Sequence, residues 1–72
     1  MNRKDILTNA ANVCIAESSR ESRHARDWYE LEFTSAVSGH GGDRRIFQNR
    51  RRNAQALSAA YAQSAVYYIN RI

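Results

Sequence analysis

The punctuation of this chain is what most limits its fold. Among 72 residues there is no proline, and the only three glycines are Gly39, Gly41 and Gly42. Proline and glycine are the strongest local terminators of regular structure. Long uninterrupted elements must therefore run on either side of a single reversal at 39–42. Helical periodicity on both sides makes those elements helices. The expected architecture is all-α: a helical hairpin of two or three helices with a tight glycine-rich turn, forming one small domain over 1–72. At this length, with 43% hydrophobic and 10% aromatic residues, burial is marginal without a second copy or a partner. Assembly into an oligomeric helical bundle is expected for that reason.

The first helix is expected from Asp5, capped by Asn2, with Ile6, Leu7, Ala10, Ala11, Val13, Cys14, Ile15 and Ala16 covering most of its circumference. Ser18 and Glu21 have capping-box spacing, so either a break falls at Ser18–Ser22 or one helix continues through it, with the break favoured. If continuous, the stripe Leu7, Ala11, Cys14, Ser18, Ser22, Ala25, Tyr29, Phe33, Ala36 would be its buried row. Trp28–Thr34 is rich in strand formers, but no second alternating run exists to pair with it, and helix wins. Gly39 fits the residue after a helix, and Asp43 fits the cap of the next. The final helix, about Arg44 to Arg71, is rich in alanine, and its expected stripe is Phe47, Ala54, Leu57, Tyr61, Ala65, Tyr68, Ile72.

Charge divides the chain unevenly. Residues 1–38 carry a net −1 and residues 39–72 a net +5, with five arginines between Arg44 and Arg52. Ten of the eleven basic residues are arginine, whose planar fork suits phosphates and carboxylates. On a helix Arg44, Gln48, Arg51 and Gln55 share one face, with Arg45, Asn49 and Arg52 in the adjoining row. Such a ridge suits nucleic acid, nucleotide phosphates or an acidic protein surface. The competing expectation is internal pairing, in which a fold-back at 39–42 puts Arg50 opposite Glu30 with Glu32 close by. The run Phe47-Gln48-Asn49-Arg50-Arg51-Arg52 resembles the centre of the homeodomain recognition helix. In that family the asparagine pairs with adenine and neighbouring arginines hold phosphates, which the resemblance would assign to Asn49, Arg51 and Arg50. It covers six residues, and departs where the family has tryptophan (here Ile46) and where its first-helix core has leucine and phenylalanine (here Cys14 and Ser18). These departures weigh against membership.

His24, His40 and Cys14 do not stand at metal-ligand spacing, so no metal or other cofactor is expected. Cys14 lies in the most apolar segment, and Glu17 and Glu21 have Arg20 and Arg23 beside them as ordinary helix partners. With no phosphate-binding glycine motif of the Walker or dinucleotide kind either, no catalysis is expected. The single cysteine excludes an internal disulfide framework and points to a reducing cytoplasm. No apolar run is long enough to span a membrane, and Met1-Asn2-Arg3-Lys4 leads into no signal-peptide core. Trp28, Tyr67 and His40 are candidate partner contacts, Trp28 and Tyr67 because they fall beside the apolar stripes. The expected function is a small binding protein that holds nucleic acid or a nucleotide through Arg44, Arg45, Gln48, Asn49, Arg51 and Arg52, as regulator or inhibitor of a nucleic-acid-processing system. The alternative, by likeness in size and style to small phage accessory proteins, is an inhibitor of a host defence or other complex that docks directly on protein.

Overall fold

The computed structural model describes residues 2–39 and 41–72, with Gly41 described in its backbone alone. The chain is two antiparallel helices, α1 (Arg3–Val37) and α2 (Gly41–Ile69), packed along their length into a rod of 55 × 13 × 12 Å. Asn2 caps α1 as expected, its Oδ1 accepting from the Asp5 N–H at 2.9 Å. At the other end the Ser38 N–H donates to the Thr34 carbonyl at 2.9 Å, and Gly39 follows at φ +84°. A Cβ at Gly39 would meet nothing within 4 Å, so it is the left-handed backbone and not crowding that calls for glycine.

Two local expectations need correction. The first helix has no break at Ser18–Ser22: α1 is continuous for 35 residues. The described residues therefore form two helices, the lower of the two numbers expected, and Trp28–Thr34 is helical as expected. Asp43 is not a cap, because α2 already begins at Gly41 and takes Asp43 into its first turn. The expected contribution of His40 lies outside the described residues.

The seam between the helices repeats in steps of four and three. On α1 the half-buried or buried row is Leu7, Ala11, Cys14, Ser18, Glu21, Ala25, Trp28, Glu32, Ser35. On α2 it is Phe47, Arg51, Ala54, Ser58, Tyr61, Ala65, Tyr68. This is the seven-residue repeat of a coiled coil, filled with small and polar side chains where leucine would be usual. Among the described residues Ala11, Ala25, Ala54 and Ala65 are the buried apolar ones, and no large side chain is fully buried.

Small side chains let the backbones come close enough for serine to bridge them directly. Ser18 Oγ donates to the Ser58 carbonyl at 2.8 Å, and Ser58 Oγ donates to the Ser18 carbonyl at 3.0 Å. With the Ser58 proton committed, the 2.7 Å contact between Ser22 Oγ and Ser58 Oγ has Ser22 as donor. Nearer the turn the seam changes character. Trp28 stacks on Phe47 with ring centroids 5.7 Å apart, and Glu32 Oε2 accepts from Arg51 Nε at 2.8 Å.

The expected stripes were half right. On α1 the row holds to Ser18 and then takes Glu21, Trp28, Glu32 and Ser35, leaving Ser22, Tyr29, Phe33 and Ala36 on the flank. On α2, Leu57 is 47% exposed, and Ser58 takes the seam position. The apolar girdle at Ala10–Ala16 is not enclosed either, with Val13 62% exposed.

Candidate functional site

The hairpin has two edges, and they differ in charge. On one, the Tyr29 edge, a groove of about 570 Å³ runs between the helices, lined by Ser22, Ala25, Arg26 and Tyr29 from α1 and by Arg51, Gln55, Ser58, Ala59 and Ala62 from α2. Toward the turn it is followed by a smaller recess of about 140 Å³ between Tyr29, Glu32, Phe33, Ala36 and Arg44. Arg52 and Arg45 precede Ala59 by one and two seven-residue repeats, so they continue the same edge. Arg26, Arg44, Arg45 and Arg52 are all exposed.

The carboxylates lie elsewhere. Glu32 is buried at 8% exposure and is bound by Arg51. Asp27 lines a recess on the opposite edge with His24, Trp28 and Leu31. Asp43 is one repeat before Arg50, whose guanidinium lies 5.6 Å from the Trp28 ring, and so belongs to that opposite edge too. Glu17 and Glu21 are engaged by Arg20, at 3.3 and 3.9 Å, and His24 is 3.7 Å from Glu21; Arg23, expected beside them, forms no ion pair with either. Glu30 is turned about 100° from Tyr29 onto the outer surface of α1. Asp5, 21 residues before Arg26, is about 30 Å away along the helix. The turn half of the Tyr29 edge thus carries exposed arginines with no exposed carboxylate among them.

The expected binding residues therefore separate. Arg44, Arg45 and Arg52 face solvent on the Tyr29 edge, with Gln48 half-buried on its floor side. Arg51 faces the same groove, but it is an internal cation: it binds Glu32 and lies 5.7 Å from the centre of the Tyr29 ring. The ion pair expected between Arg50 and Glu30 does not form, and Arg51 with Glu32 takes its place because both sit in the seam. Asn49 is exposed on the outer surface of α2, away from the groove. Trp28 is a seam residue against Phe47 and not a free contact. Tyr67 is 53% exposed, but it lies toward the termini, with Arg71 4.1 Å from its ring centre and Tyr68 edge-on at 5.5 Å.

Sequence reasoning missed Arg26, Tyr29 and Phe33 as members of this edge. The signal was present in the 4-3-4 spacing of Ser22, Arg26, Tyr29 and Phe33, which defines a row adjoining the seam. No group of three metal-ligating side chains occurs among the described residues, and no helix there is long and apolar enough to cross a membrane. Comparison with known proteins yields no relative: no family model, no curated protein and no solved structure matches the chain.

Proposed function

We propose that this chain is a non-catalytic protein that binds the phosphates of nucleic acid, or of a nucleotide, along the turn half of its Tyr29 edge, and so regulates or inhibits a nucleic-acid-processing system. One observation carries the reading: Arg26, Arg44, Arg45 and Arg52 share the turn half of an edge, with no exposed carboxylate among them. Like charges so placed repel one another, and a polyanion relieves that repulsion while releasing its own counterions. Arg51, already neutralised by Glu32, orients the groove and contributes little to the net field.

Self-association belongs to the same reading. The chain exposes 5403 Å², whereas a folded monomer of 8.2 kDa exposes about 4500 Å² on the usual scaling. The difference of about 900 Å² is close to what one partner contributes to a standard interface, about 800 Å². The same reading has the protein in the cytoplasm, where Cys14 stays a thiol.

The test is a fluorescence-anisotropy titration of labelled oligonucleotides across a salt series. Affinity should fall with a log–log slope of about −0.9 per neutralised phosphate on duplex, or about −0.7 on single strands. The double variant Arg45→Gln/Arg52→Gln should reduce that slope by about one to two units and weaken all sequences alike. Binding that ignores salt, or that survives this substitution unchanged, would remove the reading. A second reading, docking on another protein as a small accessory inhibitor, is favoured by the exposure of Phe33 (64%) and Val37 (73%) beside the turn. Salt-insensitive oligonucleotide binding, or none, would move that reading to first place.

A further inference from the structure

Two aromatic rings lie among the arginines of the Tyr29 edge. Tyr29 is 56% exposed and Phe33 is 64% exposed, although Trp28 beside them is packed into the seam against Phe47. Tyr29 lines both recesses of the edge, with Arg26 in the larger and with Phe33 and Arg44 in the smaller. We propose that the ligand of this edge is single-stranded nucleic acid, its bases stacked on Tyr29 and Phe33 and its phosphates held by Arg26, Arg44 and Arg52. The proposal rests on the cationic reading above and narrows it.

The Tyr29 ring is held as a shelf. Glu32 fixes Arg51 through the 2.8 Å bond to Nε, and the Arg51 guanidinium lies 5.7 Å from the ring centre. One face of the ring thereby lies beside a cation that Glu32 holds in place, and the exposed remainder is left for a second planar group. A base is such a group, and base–aromatic stacking is tolerant of sequence because every base has a π-face.

Strandedness follows from spacing. Tyr29 and Phe33 are four residues apart, about 6 Å along the helix axis. In a duplex, successive bases are closed against one another at about 3.4 Å, and none can meet an outside ring without being unstacked. A single strand offers splayed bases at no such cost. Arginines on both helices flank the rings, Arg26 on α1 and Arg44 and Arg52 on α2, so a strand stacked along the rings keeps its backbone within reach of cations. Duplex binding through phosphates alone would leave both rings without a role.

The experiment compares three fluorescein-labelled probes at one salt concentration: a 15-nucleotide oligo-dT, a 15-nucleotide oligo-rU and a 15-base-pair mixed-sequence duplex. The single strands should bind at least about tenfold more tightly than the duplex, and Tyr29→Leu/Phe33→Leu should remove about tenfold or more of that affinity. Tyr29→Phe should retain it, which separates stacking from loss of structure, and circular dichroism should show unchanged helix in each variant. Duplex bound as tightly as single strand, or single-strand affinity untouched by Tyr29→Leu/Phe33→Leu, overturns the proposal while the salt-dependent cationic reading stands. No binding to any of the three probes overturns both.

Discussion

The half of the hairpin near the turn and the half near the termini are built on opposite chemistry. Toward the termini, residues 6–16 of α1 face residues 60–70 in the register that pairs Ser18 with Ser58, and neither stretch contains a charged residue. Their seam is Leu7, Ala11 and Cys14 against Tyr61, Ala65 and Tyr68, bounded toward the middle of the rod by the Ser18–Ser58 hydroxyl bonds. Near the turn the seam is an aromatic stack and an ion pair, Trp28 on Phe47 and Glu32 on Arg51, and the surrounding surface is arginine. The first arrangement excludes charge from the seam because nothing there can answer it. The second admits a cation because a carboxylate is in place to meet it. The difference teaches where each kind of substitution should be tolerated and where it should not.

The largest effect is expected from placing a charge in the terminal seam. Ala65 is 4% exposed, with neighbours that offer no cation. In Ala65→Glu a carboxylate must be buried without a partner or the helices must part. Marginal stability at this size does not cover that cost, and the far-UV helical signal should collapse at room temperature. A variant that keeps its helix content and melts near the parent temperature would break the contrast between the halves.

A smaller loss is expected at the turn half when one member of its pair is removed. Glu32→Ala leaves the Arg51 guanidinium, its side chain 21% exposed, without its carboxylate. Because water can still reach it in part, the cost is about 2 kcal/mol, below that of a fully buried broken pair. For a domain of this size, thermal melting should drop by about 10 °C. Glu32→Ala/Arg51→Met should recover most of the drop, since it removes the stranded charge and keeps the volume. No recovery would mean that the pair is held by more than its charges.

The two halves were also unequally legible in the sequence. The reversal, the Asn2 cap and the positive-φ Gly39 could all be read locally, because each depends on residues within a few positions. Continuity through Ser18–Ser22 could not. Those serines have the composition of a helix start, and what satisfies Ser18 and Ser22 instead is Ser58, 40 and 36 residues away. The seam slipped in the reading for a related reason. From Ser18 the choice lies between Glu21 and Ser22, and hydropathy favours the row through Ser22, Tyr29 and Phe33 over one holding Glu21 and Glu32. Only the presence of Arg51 across the seam makes a buried Glu32 acceptable. That slip put Tyr29 and Phe33 in the core and Trp28 outside it, the reverse of what the fold contains. The arginine cluster was visible from charge count alone, but its aromatic companions depended on getting the row right.

The smallest effect on folding, and the sharpest test of the division, comes from the exposed residues of the opposite edge. Leu57 (47% exposed) and Ile46 (54% exposed) are both large aliphatic residues on the outside of α2. Leu57 belongs to the uncharged stretch 53–70, with Val13 (62%) and Tyr67 (53%) also left open toward the termini. Ile46 lies between Arg45 and the second arginine run. If copies associate, the uncharged stretches are where they meet, because no charge has to leave water there, whereas the turn halves are ringed by exposed charged side chains. Leu57→Glu should therefore leave the helical signal nearly unchanged, since the position is half open, yet reduce the mass by light scattering from at least twice 8.2 kDa to that of one chain. Ile46→Glu should leave the mass of the assembly as it was. Equal dissociation by both substitutions would spread the interface over the whole rod, and a parent protein that is already monomeric at micromolar concentration would leave the exposed large apolar side chains to a different partner.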